Sequence, residues 1–240
     1  MMRMSIPSAV LRKKISASTM DDAAKAVHTG HGHGTVCMAL KQSFGRGRLP
    51  GRQWVNGHQS LLFTLIFDQK THRETYPFTQ VMALALCRHL EKAHGLRPQI
   101  KWPNDVLLEG HKTAGILVES LDRFYLAGMG LNLVFEGDEN DFRLPAAGLS
   151  DHIGRRPDTD EELAGILEEL NHLINNPARI EDLMSRLAFM NQEVKVRLGD
   201  PSRKETQQGR VLGLNRDGSL LLTIGRNRLF SVYSGEIDFS

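Results

Sequence analysis

Several features that would assign this sequence to a familiar class are scarce or absent. Among its 240 residues there are only two cysteines, Cys37 and Cys87, whose unrelated contexts indicate neither a disulfide framework nor a zinc site. The formal charge of +2 is too small to imply nucleic-acid binding by itself. No apolar run approaches the roughly 18 residues of a membrane span, and the basic N-terminal stretch has too broken an apolar part for a signal peptide. We therefore expect a cytoplasmic protein with reduced thiols and no membrane association.

Length and composition are those of an ordinary globular protein. Hydrophobic residues make up 40% of the chain and charged residues 24%. Strand and helix patterns alternate as far as Asn191, whereas short alternating strands and an Asp217-Gly218 hairpin signal follow it. We therefore predict one large domain over residues 1–190 and a small β-barrel module over residues 191–240.

The larger part contains both helix-like and strand-like patterns. Ser18 and Thr19 each precede an aspartate by three residues, and Thr159 precedes Glu162 at the same spacing, so two helices are predicted to begin with capping boxes. The strand predictions are 35–41, 61–67, 99–102, 106–108, 113–119 and 125–135. The helix predictions begin near residue 21, at Pro77 (ending near Gly95), at Thr159, and at Ile180 (ending at Met190).

Residues 45–52, together with Trp54, form the most informative segment. Its glycines let a backbone approach a ligand closely, and Arg46, Arg48 and Arg52 offer planar forks that match phosphate or carboxylate oxygens. Trp54 is placed to stack on a flat ring. On its own, an RNA-binding stretch or a solvated loop explains this segment about as well as a loop that binds a small anionic ligand.

Three further motifs accompany this loop. Residues 101–105 read Lys-Trp-Pro-Asn-Asp, which a plain hairpin also explains, because the proline favours an extended residue before it and the last three residues favour a turn. Lys112 stands at a strand entrance, usually a surface position, but the alanine and glycine that follow it leave room for a ligand against the strand. Residues 128–132 again combine glycines with a polar end.

Taken together and in this order, these segments resemble biotin protein ligases. The similarity extends over residues 15–237 and includes the Ser-Gly-Glu-Ile sequence near the C-terminus. The loop is one residue longer than the commonest family spacing before Arg52, and Met20 stands where asparagine often follows the Ser-Thr pair. The matching stretches are Ser18-Thr19, Gln42, 45–48, 51–54, 101–105, 112–117 and 128–132.

The resemblance implies a fold and a reaction. The fold would be α/β, with a mixed sheet flanked by helices in a class II synthetase-like biotin/lipoate ligase core over residues 1–190, followed by a small SH3-like β-barrel. The reaction would activate biotin with ATP to biotinyl-5′-AMP and transfer biotin to a lysine of a biotin carboxyl carrier domain, in acetyl-CoA carboxylase or a related carboxylase. ATP and biotin would be substrates and Mg²⁺ an activator, with no tightly bound prosthetic group. Monomer and homodimer both remain open.

The resemblance also implies roles for individual residues. Two simpler explanations remain open: Ser18 or Thr19 only caps a helix, and Trp54 is a core residue. The residues implied for biotin are Ser18, Thr19, Gln42, Gly45, Arg46, Lys112, Gly115 and Gly128. Those implied for ATP or the adenylate are Arg46, Arg48, Arg52, Trp54, Asn104, Lys112 and Asn132. Lys112, Arg46, Arg48 and Asp105 are the implied catalytic residues, and Asp105 is also the candidate for orienting Mg²⁺ or the incoming amine.

The implied chemistry agrees with the residue types. Joining a carboxylate to ATP brings two anions together, so the protein must supply fixed positive charge rather than a nucleophile. The mixed anhydride that results must be kept from water, which a closing loop can do.

Three alternatives stand beside this interpretation. A lipoate or octanoate ligase would share the core, but the arginine-glycine loop with Trp54 and the C-terminal module favour the biotin branch. A DNA-binding repressor is disfavoured, because only seventeen residues precede Ser18, too few for two average helices and a turn. A non-catalytic biotin-binding or regulatory protein is disfavoured because every position expected to carry charge is charged.

Histidines 28, 31 and 33 suggest a metal site at first sight. The intervening glycines would hold such ligands poorly, and nothing in the resemblance uses these residues. We therefore predict that His28, His31 and His33 lie in a solvated loop.

Overall fold

The structure, a computed structural model, describes residues 6–49, 51–54, 58–72, 76–136, 145–177, 179–199 and 205–238. A seven-stranded sheet has the order β1-β2-β3-β7-β6-β5-β4, with β1 and β2 parallel and the other neighbours antiparallel. The predicted mixed sheet is confirmed. Its strands are β1 (Ala9–Ser16), β2 (Thr35–Gln42), β3 (Gln59–Asp68), β4 (Gln99–Lys101), β5 (Asp105–Leu108), β6 (His111–Leu121) and β7 (Phe124–Val134).

Helices cover the two faces of this sheet unequally. Because side chains alternate along a strand, Leu65 and Met129 pack into the core formed with α2 and α4, whereas Cys37 and Ile66 pack against α1 on the other face. The short α1 leaves the rest of its face open, and that is where a cleft forms. The helices are α1 (Thr19–His28), α2 (Phe78–His94), α3 (Leu149–Ile153), α4 (Thr159–Asn175) and α5 (Ile180–Met184), with a 3₁₀ turn at Gln69–Thr71.

The ends of α1 and α2 follow the sequence signals. The Ser18 hydroxyl accepts a hydrogen bond from the backbone N–H of Met20 at 3.3 Å, so Ser18 is the N-cap of α1. Pro77 precedes the first residue of α2, and Gly95 ends it in a left-handed conformation at φ 67°. Among the described residues, no helix combines the length and apolar character needed to cross a membrane.

A second, antiparallel sheet follows from Glu193 onward, in the order β11-β10-β9-β8-β12. The predicted Asp217-Gly218 turn joins β9 to β10. It also contacts the larger part of the protein, where the Gly218 carbonyl accepts hydrogen bonds from Gln80 Nε2 at 2.7 Å and Trp102 Nε1 at 3.1 Å. The buried apolar residues of both parts form one connected cluster, and a division at residue 190 remains a prediction. The strands are β8 (Glu193–Leu198), β9 (Thr206–Leu214), β10 (Leu220–Ile224), β11 (Arg228–Val232) and β12 (Gly235–Asp238).

Two helix predictions were wrong in detail. The helix that starts at Ile180 ends at Met184 rather than at Met190, because the chain then turns to pair with β4: Ile100 N–H donates to the Arg186 carbonyl at 2.7 Å. The predicted capping boxes also do not form among the described residues. At α1 the Ser18 hydroxyl accepts from the Met20 N–H, while the Asp22 carboxylate binds Ser16 and Lys13. The box predicted at Thr159 is absent as well. Asp158 caps α4 instead, accepting from two backbone N–H groups at 2.8 and 3.0 Å, and Glu162 points elsewhere.

Candidate active site

The cleft lies on the face of the first sheet that α1 covers only in part. It brings together all of the predicted site residues except Gly45 and Asn132, which do not line it. Gly45 lies just behind the loop, where its carbonyl accepts from Trp54 N–H at 2.8 Å. The predicted residues that line the cleft are Ser18, Thr19, Gln42, Arg46, Arg48, Arg52, Trp54, Asn104, Asp105, Lys112, Gly115 and Gly128.

One end of the cleft carries a set of polar groups fixed by hydrogen bonds. Gln42 Oε1 accepts from the Thr19 backbone N–H at 2.6 Å and lies 3.1 Å from its hydroxyl. The buried Thr64 donates its hydroxyl to Thr19 Oγ1 at 2.9 Å. Sequence analysis missed Thr64, which lies within the apolar run of β3. These hydroxyl and amide groups suit a small polar head group.

Glycines form the floor of the cleft, and the indole of Trp54 lies on them. Gly115 and Gly130 are directly paired across β6 and β7. A Cβ atom on Gly130 would stand 2.6 Å from two ring atoms of Trp54, and one on Gly115 would stand 3.1 Å from the same ring. Gly115 and Gly130 therefore leave the space that the Trp54 indole occupies, and Gly130 is a site residue that the sequence motif contained but that was not predicted individually.

We expect Gly130→Ala to displace the Trp54 indole, because the added methyl group cannot share its place. Overpacking of this kind costs about 1–3 kcal/mol. Since Trp102 stays buried, the emission of the variant should shift to longer wavelength through Trp54 alone. Gly32→Ala is the matched control, because its new Cβ would meet only Phe124 Cζ at 3.8 Å. An unchanged emission spectrum for Gly130→Ala would contradict this packing.

Two lysines and an aspartate define the charge at the centre of the cleft. Lys112 Nζ lies 2.7 Å from Asp105 Oδ1, and Lys101 Nζ lies 4.0 Å from Oδ2 of the same carboxylate. Burial lowers the pKa of Lys101. Asn104 holds the turn in place, because its Nδ2 donates to the Ile116 carbonyl at 3.0 Å. Lys112 is the more exposed ammonium, with 30% of its side chain accessible, and it stands beside the slot next to Gly115.

Asp105 does not fit a resident Mg²⁺ site. Mg²⁺ prefers octahedral oxygen ligands that include carboxylates, waters and substrate phosphates. Two ammonium groups already face this carboxylate, so a metal ion there would be repelled by both. The arrangement instead favours Asp105 as the group that orients Lys112.

The arginine loop is a narrow hairpin whose tip is attached to the C-terminal sheet; Pro50, within it, lies outside the described residues. Gly47 N–H donates to the Arg52 carbonyl at 2.9 Å. Arg48 Nη2 donates to the Gly235 carbonyl at 2.7 Å, and Arg52 makes two 2.7 Å hydrogen bonds with the Glu236 carboxylate. The small module therefore closes one side of the cleft through β12.

Glu236 lines the cleft and was not predicted as a site residue. Burial alone would raise the pKa of Glu236, but the hydrogen bonds and charge of Arg52, with Lys101 and Arg48, lower it. The carboxylate is therefore ionised at neutral pH. Its place in the C-terminal Ser-Gly-Glu-Ile motif was the available signal, but pairing across more than 180 residues cannot be read from local sequence.

We expect Glu236→Gln to loosen the loop, because the bidentate ion pair with Arg52 is its main side-chain anchor. The two side chains are 38% and 20% exposed, so a loss of about 1 kcal/mol, or roughly fivefold in the open population, is expected. Tryptic cleavage after Arg48 or Arg52 should accelerate accordingly. Asp238→Asn is the matched control, since Asp238 lies in the same strand as Glu236 but pairs with Arg197 of β8, away from the loop. Equal cleavage of the two variants would contradict the anchoring role.

Arg46 lies at the rim of the cleft rather than at its floor. Its Nη2 stands 3.1 Å from Asp21 Oδ1 and 3.3 Å from Glu119 Oε2, and 43% of its side chain is exposed. Exposed pairs of this kind contribute little stability, so Arg46 can exchange these carboxylates for a ligand anion at small cost.

Two buried polar atoms in or beside the cleft, Trp54 Nε1 and Asn132 Oδ1, have no hydrogen-bond partner among the described residues. Asp105 Oδ1 also has no hydrogen bond, but it is compensated by its ion pair with Lys112 at 2.7 Å. Leaving such groups unpaired costs about 1–3 kcal/mol each, and folded proteins keep few of them. Unpaired groups at a cleft are typical of a site that completes its hydrogen bonds with a ligand or water. Asn132 thus stays a plausible ligand contact although it does not line the cleft.

The histidines near residue 30 take no part in this cleft. His33 is buried and its Nδ1 accepts from the Asp68 backbone N–H at 3.1 Å, so the expected solvated loop was wrong for this residue. Its hydrogen bond holds the α1–β2 connection against the end of β3. His28 is the exposed last residue of α1 rather than part of a loop, and His31 is not buried. Within the described ranges neither belongs to a group of potential metal ligands.

The fold and the cleft define an α/β protein with a cleft that is lined by arginine and lysine side chains beneath a loop rich in arginine and glycine. Residues 14–132 match the Biotin/lipoate A/B protein ligase family, and over this segment the chain belongs to that family.

Its similar proteins are biotin ligases. The Bifunctional ligase/repressor BirA of Bacillus spizizenii is 26% identical over 246 residues, covering 95% of this chain and 73% of that protein. The Biotin--[acetyl-CoA-carboxylase] ligase of Mycobacterium tuberculosis is 29% identical and covers 92% of this chain and 85% of its own length. The structure of the biotin protein ligase from Aquifex aeolicus in complex with biotin and ATP superposes with a TM-score of 0.81 at 24% identity, covering 96% of this chain and 98% of that one. The last comparison confirms the α/β fold with its C-terminal sheet.

Proposed function

We propose that this protein is a biotin protein ligase: it joins biotin to ATP as biotinyl-5′-AMP and transfers the biotinyl group to a lysine of a biotin carboxyl carrier domain. One observation carries the proposal. A glycine-floored slot ends at Lys112, beneath a hairpin that supplies three arginines. Family membership and the names of the relatives support the same activity.

The slot has two chemically different ends. The hydroxyl and amide groups of Thr19 and Gln42 would hold the polar ureido ring of biotin. Lys112 lies toward the other end, where the carboxylate would meet the α-phosphate. Its ammonium group would lower the repulsion between these two anions. The attacking group is the biotin carboxylate oxygen, and pyrophosphate leaves.

The arginines would hold the phosphates and retain the product. Arg46 must exchange Asp21 and Glu119 for the ligand, whereas Arg48 and Arg52 already tie the loop to β12. Trp54 would lie against the adenine. In the second step a carrier lysine attacks the anhydride carbonyl and AMP leaves. Asp105, which lines the cleft, is the candidate to orient that amine.

The direct test is transfer to a carrier domain followed by intact-mass spectrometry. With ATP, Mg²⁺ and biotin, we expect one biotinyl group on one lysine, and with lipoate or octanoate in place of biotin no addition. Modification by lipoate but not biotin would replace the proposal by the lipoate ligase alternative. Omitting Mg²⁺ tests the proposed metal requirement separately. Absence of any adduct, with biotin still bound, would favour the non-catalytic binding protein.

A further inference from the structure

Two histidines and a glutamate form a buried cluster between α2 and α4, on the face of the first sheet opposite the cleft. His89 and His94 lie in the C-terminal half of α2, and Glu162 lies near the start of α4. His89 Nε2 is 2.6 Å from Glu162 Oε2, and His94 Nε2 is 2.9 and 3.2 Å from the two carboxylate oxygens. The side chains of all three are at most 8% exposed.

The surrounding structure is shaped around this cluster. Asp158 caps α4, which leaves Glu162 free of that task and directed at α2. Gly165 stands opposite the His89 ring, and a Cβ atom there would collide with Nδ1. A larger residue at position 165 would therefore expel the imidazole. The contact between the two helices is thus made by three polar groups. Apolar side chains at these positions would avoid the free-energy cost of burying a carboxylate.

We propose that His89, His94 and Glu162 form a binding site for a divalent transition-metal ion, with Zn²⁺ as the best match, that joins α2 to α4. Zn²⁺ takes imidazole nitrogen and carboxylate oxygen at about 2.0–2.2 Å, commonly as three protein ligands with a water in the fourth position. The three potential ligand atoms already lie within 4.8 Å of one another. Mg²⁺ and Ca²⁺ are excluded as preferred occupants because they select oxygen ligands.

Binding requires both Nε2 atoms to be free of hydrogen. A neutral imidazole that carries its proton on Nε2 shifts it to Nδ1 through solvent, and an imidazolium releases one proton. Each Nε2 lone pair then forms a bond to the metal, which replaces the hydrogen bond to Glu162. The ion adds two positive charges beside the Glu162 carboxylate. It therefore balances the negative charge that imidazole protons balance when no metal is bound.

The test is titration of the metal-free full chain with Co²⁺, whose visible absorption reports tetrahedral nitrogen and oxygen ligands, followed by displacement with Zn²⁺. We expect one equivalent in the wild type. His94→Gln and Glu162→Gln should weaken binding at least about tenfold, a loss that even outer-sphere partners of a metal commonly carry. The double variant His28→Gln/His31→Gln is the matched control, because it removes two other histidines and should leave binding unchanged.

Thermal unfolding gives a second readout. At a Zn²⁺ concentration near 100 times the wild-type Kd, the midpoint of the wild type should rise by about 5–10 °C, and that of Glu162→Gln by at most about half as much. If the variants do not fold, NMR of the wild-type imidazole nitrogens tests the proposal instead, because two Nε2 signals must shift when Zn²⁺ is added. No stoichiometric binding, unshifted Nε2 signals, or binding lost in the His28/His31 variant overturns the proposal. The cleft lies on the opposite face of the sheet, so none of these outcomes depends on the ligase assignment.

Discussion

Lys112→Ala should slow adenylate formation by at least about 100–1,000-fold, the loss seen when one preorganised charge-stabilising group is removed. Lys112 is the ammonium group nearest the slot, beside Gly115 and 5.9 Å from the centre of the Trp54 ring. Lys101 cannot replace it, because its side chain is only 4% exposed and lies behind Asp105. Pyrophosphate release measured with biotin and ATP gives the rate.

A slow Lys112→Ala variant has two physical explanations that a second variant separates. Removing Lys112 leaves the buried Asp105 carboxylate without its closest cation, and this negative charge would itself repel the reactants. Lys112→Ala/Asp105→Asn removes both charges. If Lys112 acts on the reacting anions, the double variant stays at least about 100-fold slow, whereas recovery to near wild type would mean that only the unpaired Asp105 mattered.

The matched control for this experiment is Lys92→Ala. Lys92 is exposed, pairs with Glu168 and Glu169, and lies on α2 away from the cleft. Its loss should leave the rate within about twofold and the unfolding midpoint nearly unchanged, as exposed ion pairs contribute little. A rate for Lys112→Ala within about threefold of this control would show that Lys112 has no special role.

The parts of this molecule that sequence could predict are those set by local signals. Pro77 and Gly95 bound α2 because proline and glycine restrict or permit particular backbone angles. Asp217-Gly218 turned out to be a turn for the same reason. By contrast, β1 is not among the strand predictions, since it is a basic edge strand with little buried apolar pattern, and the five-residue α3 carries no periodic signal.

The parts that could not be predicted depend on contacts between distant segments. Glu236 reaches Arg52 only because the second sheet packs beside the loop. Glu162 has the spacing of a capping residue, yet it binds His89 because α2 and α4 are neighbours. In both cases local chemistry identified a polar residue, but the partner that determines its role comes from the tertiary fold.

Arg48→Gly should produce an enzyme that makes the adenylate and releases it. Lys112 would still neutralise the reacting anions, and Arg52 would still tie the loop to Glu236. The lost contact is the hydrogen bond from Arg48 to the Gly235 carbonyl, together with any contact that Arg48 makes with the adenylate. A hydrogen bond to a charged group is worth about 1.5–3 kcal/mol, or roughly 10–150-fold in residence time if it acts on dissociation.

Escaped biotinyl-5′-AMP identifies this defect. Any exposed lysine can attack its anhydride carbonyl, with AMP leaving, so bystander proteins become biotinylated. The measurement is biotin on serum albumin after incubation with the variant, biotin and ATP. Arg48→Lys is the matched variant: it keeps the charge but not the planar fork, so its leakage should fall between that of the wild type and of Arg48→Gly. Unlabelled albumin alongside normal carrier modification would mean that Arg48 does not retain the adenylate, and equal leakage from both variants would mean that the charge contributes nothing without the fork.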